Sequence, residues 1–542
     1  GLCQFSSFFG GQSANRGRCS QPCRRPYRHA GEEGNFFSPA DFSGLDFLPE
    51  LVRLGITSCK IEGRMKGSQY VSVVVGVFRR ALDEIKNSGE LAPKSRKAFA
   101  EELKEAYARP TTSANLSGRY PATIIEPQRA ATIGAVVGKI RRVNREGRDG
   151  KKWRILLRSS REPASGDRLK VISQGKDGRD NSFTLKDGFR IEKKRAAKSG
   201  GLIVSLPVPF ACQVGDLLVK VGSRDQYGRR GGAWFRRQIE EAVGDQIKGR
   251  VAKPQRPRRY LAAKRLPFAI GAGEKAKAGV GRKESLWLIK LADLSVAQPF
   301  LQRRGWRVAL DLNGRLTASV AGRERDLFHR HPELEWSLPP LRYPRQKGPL
   351  EEIVKRLAQA GFRRFHLNGL DQLDLFSDLA PGLAAFKLAT GPYLHAVNQE
   401  AIDFYAEQGF LLVHLTPELD ETTINSLQAV SGLELGLTVF SFVPLFLTRV
   451  PLPQKRRNEN FLSRRREEIM VIKRDGLSAL VSSTPFSLIA VLERLHNPAI
   501  SLKIVDLTWT PDSSVARRFL NPHRLHLDDL AVSTYNFCEQ WS

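Results

Sequence analysis

The sequence predicts an α/β protein built from a partial TIM-like barrel, a small β-barrel domain, and a second, degenerate TIM-like α/β barrel. Three observations predict it. Before residue 120, a helix pattern, a strand with a polar tip and another helix pattern follow one another. Short runs carrying Val and Ile then occupy 133–137, 153–157, 168–172, 189–192, 202–206 and 216–221, punctuated by Gly166-Asp167 and Gly215-Asp216. After residue 286, strand and helix patterns alternate again. The expected domains are 1–122, 123–225, a basic linker at 226–285, and 286–542.

Each element follows from its residues. Gly10, Gly11, Gly17, Gly31, Gly34, Pro22 and Pro26 make residues 4–35 loop and turn. A short helix is expected over 46–54, with Leu48, Leu51, Val52 and Leu54 inward and Gly55 as its C′ residue. A strand is expected over 56–61, with Glu62, Gly63 and Arg64 emerging at its end. Ser68 can cap the next helix, where Val71, Val74, Val75, Phe78, Leu82 and Ile85 recur at helical spacing. The chain begins Gly1-Leu2-Cys3, and only about two barrel units precede residue 120. The barrel's first strands are therefore expected upstream of Gly1.

In the last domain, strands are expected at 287–290, 306–310, 364–367, 385–388 and 411–415, with helices at 350–360 and 399–408. An internal repeat accompanies them. Phe42-Ser43, a helix, and Ser58-Cys59-Lys60-Ile61-Glu62 reappear as Phe486-Ser487, a helix over 488–495, and Ser501-Leu502-Lys503-Ile504-Val505. In the second copy Val505 stands for Glu62 and Asp506 for Gly63, so the expectation is a barrel that has lost its polar tip.

The formal charge of +31 in 542 residues favours nucleic acid or another polyanion as partner, with a merely solvated basic surface as the alternative. The 41% hydrophobic content excludes wholesale disorder. No apolar run is long enough to span a bilayer. Six cysteines are too sparse for a disulfide scaffold, and three crowd into the first 23 residues. That usage fits metal binding in a reducing, cytoplasmic setting.

Cys3, Cys19 and Cys23 are the strongest chemical signal, because thiolates are soft ligands for zinc or iron–sulfur clusters. Only Cys19 and Cys23 show the spacing of a zinc pair. Cys59 is a possible fourth ligand, but a small core residue on a buried strand is the favoured reading; Cys212 and Cys538 read as packing residues. Lys60, Glu62 and Arg64 share one face of the expected strand by its period of two. An acid between two bases suits orienting a substrate or accepting a proton, or else forms a salt-bridged rim. Arg16, Arg18, Arg24 and Arg25 beside the cysteines suit RNA phosphates. So do Arg229-Arg230, Arg236-Arg237, 253–259, Lys455-Arg456-Arg457 and Arg464-Arg465-Arg466. No HExxH, P-loop, GxSxG or GxGxxG in context occurs.

Ser13-Ala-Asn-Arg-Gly-Arg-Cys-Ser-Gln-Pro-Cys-Arg24, Ser38-Pro-Ala-Asp41, Leu48-Pro-Glu-Leu51 and Lys60-Ile-Glu-Gly-Arg-Met65 together resemble peptidase family U32, the collagenase-like family. The likeness covers residues 1 to about 125. The later domains resemble the family's long members, which are similar to the ribosomal RNA cytidine hydroxylase. The resemblance implies an α/β barrel with a four-iron four-sulfur cluster. Its ligands would be Cys3, Cys19 and Cys23, with a fourth cysteine just upstream of Gly1. It also implies hydroxylation of a pyrimidine in ribosomal or transfer RNA, with prephenate needed; other members act on ubiquinone precursors or are named collagenases. Many relatives have a cysteine where Ser43 stands. An RNA hydroxylase fits the charge best. A collagenase-like peptidase and a non-catalytic, zinc-stabilised RNA-binding protein are the alternatives.

Overall fold

The computed structural model describes residues 3–10, 13–63, 68–107, 109–125, 127, 135–146, 152–159, 163–172, 181–186, 189–192, 202–223, 286–341, 347–380, 382–454, 459–520, 532–534 and 537. The expected basic linker, Arg229-Arg230, Arg236-Arg237, Lys455-Arg456-Arg457, Arg64 and Cys538 lie outside these. The chain divides into two compact units, Gly1–Phe37 with Arg258–Ser542, and Ser38–Pro257. These units do not follow the sequence boundaries, since the first 37 residues fold with the last domain.

In the first unit, strands β1 (Tyr27–His29) and β2 (Glu32–Gly34) form a hairpin. Its turn places Ala30 at φ 53° and Gly31 at φ 78°, the double left-handed geometry that matches strand twist. A short helix, Phe5–Gly10, precedes it. Phe5, Tyr27, Phe37 and Phe461 form a buried aromatic cluster, with the Tyr27 and Phe37 rings 4.8 Å apart.

The second unit opens with two-residue strands, β3 (Asp41–Phe42) and β4 (Thr111–Thr112), paired in parallel. The helices Leu48–Arg53, Ser68–Ser88 and Pro93–Ala106 accompany them. Val74, Val77, Ala81 and Ile85 face Leu45, Leu48 and Leu103, as the 3.6-residue period requires. Gly55 takes φ 73°, as expected of a C′ residue. The strand expected over 56–61 does not form; these residues carry no regular secondary structure and are exposed, with Ile56 51% accessible. A parallel strand obtains its backbone partners only from neighbouring strands, and none lies alongside among the described residues.

The same unit continues as seven antiparallel strands: β5 (Ala135–Glu146), β6 (Lys152–Ser159), β7 (Asp167–Ile172), β8 (Ser182–Thr184), β9 (Arg190–Glu192), β10 (Leu202–Val208) and β11 (Leu217–Ser223). They lie in the order β8-β7-β11-β5-β6-β10-β9. All six strands expected between 131 and 222 are present. The sheet curls around Val137, Ile140, Ile155, Leu157, Leu169, Val204 and Leu206. Its outer strands β8 and β9 are not paired with each other among the described residues, so the expected small barrel appears as a curled sheet.

Returning to the first unit, eight parallel strands close a TIM-like barrel. They are β12 (Leu286–Leu291), β13 (Trp306–Asp311), β14 (Glu335–Ser337), β15 (Arg364–Leu367), β16 (Lys387–Thr390), β17 (Leu412–Leu415), β18 (Glu434–Ser441) and, last in the chain, β24 (Ile500–Asp506). Pairing of β17 with β18, β18 with β24 and β24 with β12 completes the circle. Between β18 and β24 the chain adds β19 (Pro444–Thr448), β20 (Phe461–Ser463), β21 (Glu468–Arg474), β22 (Leu477–Ser482) and β23 (Phe486–Ser487). Four of these join the N-terminal hairpin in a six-stranded sheet, β19-β22-β21-β20-β1-β2. Asp293, Asn313, Asn398 and Asp420 cap the helices after β12, β13, β16 and β17. No helix among the described residues is long and apolar enough to cross a membrane.

Candidate functional site

The barrel interior is layered. Leu288, Ala309, Ala389, Leu412, Leu502 and Ile504 form an apolar plug. Above it, toward the strand C-termini, the inward positions are polar: Lys290, Asp311, Ser337, His366, His414 and Asp506 are all buried. Strand register puts them on one face, because Lys290 pairs with Asp506, Asp311 with Ser337 and Ser337 with His366. The C-terminal face is where barrels of this kind carry their sites.

Lys290 Nζ lies 3.6 Å from Asp506 Oδ2. Asp506 also accepts from the Thr508 amide at 3.0 Å and hydroxyl at 2.6 Å. Arg474, at the end of β21, donates to Asp311 at 3.0 Å and stacks 4.3 Å over the Trp509 ring. Trp509 donates to the Tyr393 hydroxyl at 3.1 Å. Burial raises the Asp311 carboxyl to about 6 even though Arg474 and Lys290 oppose it. Deeper in the barrel, His366 Nε2 lies 2.6 Å from Glu335, which also accepts from Arg307 at 2.6 Å. Burial would raise Glu335, but His366 and Arg307 hold it near 2. Burial also keeps His366 and His414 below the usual histidine range. The neutral His366 ring therefore donates to Glu335, and Arg307 carries the countercharge.

This polar interior overturns one expectation. The tip of β24 was expected to be lost, because Val505 stands for Glu62; Asp506 restores it one residue later, since the inward register falls on 502, 504 and 506. A signal was legible in the strands. Each of Lys290, Asp311, His366, His414 and Asp506 is a polar residue inside or at the end of an apolar run. No local window shows them as a set, because they are scattered between Lys290 and Asp506 and only barrel closure brings them together.

The cysteine loop is fastened to this barrel. Glu418, fully buried beyond β17, accepts from Asn15 Nδ2 at 3.2 Å and from the Ser7 hydroxyl, and lies 2.5 Å from His395 Nε2. Burial raises its carboxyl, and the bonds from His395 and Ser7 more than offset this. Asn15 also donates to the Cys3 carbonyl at 3.1 Å. The Gln21 amide donates to Cys19 Sγ at 3.3 Å. Burial pushes the Cys3 thiol up and the Cys23 thiol up to about 11; Cys19 adds to both shifts, and Cys3 adds to that of Cys23. The three sulfurs thus sense one another. Three soft donors fit thiolate ligation in kind, but no three Cys, His, Asp or Glu side chains among the described residues converge to metal-ligand geometry.

Arg16 and Arg18 are exposed on the loop, and Arg24 and Arg25 are half-buried beside Cys23. Lys60 and Glu62 lie in the other unit, paired at 3.0 Å with side chains 85% and 64% accessible. They form an exposed ion pair on chain without regular secondary structure, not a strand tip. Cys59, expected on a buried strand, is exposed, because that strand does not form. Cys212 is half-buried and pushed up to about 11 by burial.

The fold and the site define an α/β-barrel protein whose barrel mouth is flanked by an N-terminal cysteine loop. Residues 1–125 match the model of Peptidase family U32. It is 38% identical over 96 residues to the tRNA hydroxylation protein P1 of Bacillus subtilis, covering 15% of this chain and 23% of that protein. It is 38% identical over 100 residues to the 23S rRNA 5-hydroxycytidine C2501 synthase of Escherichia coli, covering 17% and 15%. A collagenase of Porphyromonas gingivalis is 34% identical over 90 residues, covering 15% and 25%. The chain thus spans a quarter or less of the length of these relatives.

Proposed function

We propose that the chain belongs to an iron–sulfur-dependent RNA hydroxylase-like protein that acts on a pyrimidine of ribosomal or transfer RNA. The observation that carries the reading is the U32 match over residues 1–125 together with two relatives named for tRNA and rRNA hydroxylation. The formal charge of +31 supports an RNA substrate over a peptide.

In this reading Cys3, Cys19 and Cys23 hold the cluster, which when bound supplies an electron-transfer centre. The chain's own residues do the rest. Glu418 and Asn15 hold the cysteine loop in place. Arg16, Arg18, Arg24 and Arg25 hold RNA phosphates. Glu62, with Lys60 and Arg64, orients the pyrimidine or a small cosubstrate such as prephenate. The target base must be single-stranded or flipped, because its edge is hidden in a duplex.

Nucleoside analysis tests the reading. Digests of ribosomal and transfer RNA from cells lacking the gene should lose a hydroxylated pyrimidine. The wild-type gene should restore it, and a Cys19→Ala, Cys23→Ala variant should not. An unchanged nucleoside profile overturns the proposal. The collagenase-named relative makes cleavage of denatured collagen by the purified full-length protein the contrasting outcome.

A further inference from the structure

A cavity of about 340 Å³ opens in the second unit beside the parallel pair β3 and β4. Its size is that of a small-molecule site. Ser43 and Ser113, the residues that follow the two strands, both line it. The C-terminal ends of parallel strands are where α/β sheets hold their ligands. Backbone pairing builds the cavity. The Ser43 amide donates to the Thr112 carbonyl at 2.9 Å, and the Ala40 amide donates to the Ile124 carbonyl at 2.9 Å. These bonds set residues 40–46, 110–113 and 121–124 side by side. Leu45, Leu103 and Ile124, all buried, give the cavity apolar walls.

Its polar lining is rich in hydroxyls. Ser43, Tyr107, Thr111, Thr112, Ser113 and Thr123 bring six of them, and the exposed Asp46 brings a carboxylate. A hydroxyl can turn to donate or to accept, whereas an ionised carboxylate only accepts. Thr112 Oγ1 accepts from the Ala114 amide at 3.2 Å and keeps its own proton to donate. Burial pushes the Tyr107 hydroxyl up to about 12, so it too stays a donor. A ligand that suits this lining has apolar faces and an edge of mixed donors and acceptors. A planar pyrimidine has both. Its faces meet leucine and isoleucine, its edge meets hydroxyls, and one N–H goes to Asp46. Cytosine offers its N4 amine for that bond and uracil its N3–H. The cavity also adjoins the Lys60–Glu62 pair. The Tyr70 hydroxyl donates to the Glu62 carbonyl at 3.3 Å, and the Tyr70 ring packs edge-on against that of Tyr107, with centroids 5.9 Å apart.

We propose that this cavity is the pocket that receives the pyrimidine nucleoside, with the hydroxyls of Ser43, Thr112 and Ser113 and the Asp46 carboxylate holding the edge of the base. The inference rests on the RNA hydroxylation reading above for the identity of the ligand. It goes beyond that reading by giving the base a site and naming the groups that grip it. A cavity of this size takes one nucleoside, so the target leaves its stack before it enters.

Isothermal titration calorimetry of the full chain with free cytidine and with free uridine tests the assignment. At least one of them should bind with a Kd of about 1 mM or tighter. Thr123→Phe fills the cavity and Asp46→Asn removes the charge of its acceptor; each should weaken binding about tenfold or more. Ala98→Phe, at an exposed position of the helix Pro93–Ala106 outside the lining, should leave binding unchanged. Failure of both nucleosides to bind, an affinity that survives both cavity substitutions, or displacement of the nucleoside by inorganic phosphate overturns the assignment. Circular dichroism and the melting temperature check folding, and Asp46→Asn, at an exposed position, carries the test if Thr123→Phe does not fold. The nucleoside profile of cells judges the RNA reading separately. If loss of the gene removes a hydroxylated pyrimidine and both cavity variants restore it, only the pocket is wrong. If the profile is unchanged while the purified chain binds a nucleoside through these residues, the hydroxylation reading fails and the pocket stands.

Discussion

Glu418 Oε2 accepts a hydrogen bond from Asn15 Nδ2 at 3.2 Å, joining a carboxylate beyond the sixth barrel strand to a loop 403 residues earlier in the chain. The same carboxylate receives Ser7 and faces His395. One buried acid therefore holds the cysteine loop on the barrel. Glu418→Ala should strand these donors and cost about 2 kcal/mol or more. Urea unfolding measures the loss. Labelling of Cys3 and Cys23 with a thiol reagent should speed up in parallel; labelling at the wild-type rate would mean that other contacts hold the loop.

Lys290 is the cation nearest Asp506 inside the barrel. Lys290→Met removes it and takes from the buried Asp506 carboxylate its ion-pair partner among the described residues, a change that typically costs about 3–5 kcal/mol. The loss should be larger at pH 8 than at pH 5, because Asp311 can take up a proton at the lower pH. Denaturant midpoints at the two pH values read the difference.

Asp311 itself makes stability pH-dependent. Its folded carboxyl titrates near 6, above its ordinary value of 3.8. The folded state therefore binds the proton more tightly than the unfolded chain. The stabilisation is complete below about pH 3.8 and is lost as pH rises through 6, about 3 kcal/mol in all. Glu335 acts oppositely: held near 2, it stabilises above its ordinary value of 4.5, and that contribution is lost as pH falls toward 2. Asp311→Asn should flatten the stability profile between pH 4 and 6.5 while leaving the acid limb. A profile identical to wild type would show that Asp311 does not titrate there.

Glu62 and Lys60 are exposed. Glu62→Gln should change stability by no more than a few tenths of a kcal/mol, with loss of RNA hydroxylation if the residue orients substrate. Retained hydroxylation would return the pair to the role of a surface ion pair.

The metal reading has its own measurement. Protein purified without oxygen should carry iron and acid-labile sulfide and be brown, and Cys19→Ala should lower both. A colourless protein with zinc would favour the zinc-stabilised RNA-binding alternative.

Local pattern was enough for much of the fold. Six of the seven strands of the curled sheet were legible from Val- and Ile-bearing runs with Gly-Asp turns, and five barrel strands from apolar runs. Glu335–Ser337 is not legible because three residues carry no period, and 434–441 because Gly436 and Thr438 interrupt its apolar residues. The strand expected over 56–61 had the right residues, but strand formation depends on neighbours that sequence pattern does not supply.

Cysteine spacing, basic charge, U32-like motifs and α/β rhythm are legible before folding, because they are properties of residues and short windows. Where they come to lie depends on long-range packing. Only barrel closure gathers Lys290, Asp311, His366, His414 and Asp506 into one polar interior. Only the buried Glu418 shows that the cysteine loop packs on the last barrel. Only the pairing of β3 with β4 brings Ser43 beside Thr112. In each case the deciding quantity is contact between residues far apart in the chain, set by burial and by backbone pairing rather than by local propensity.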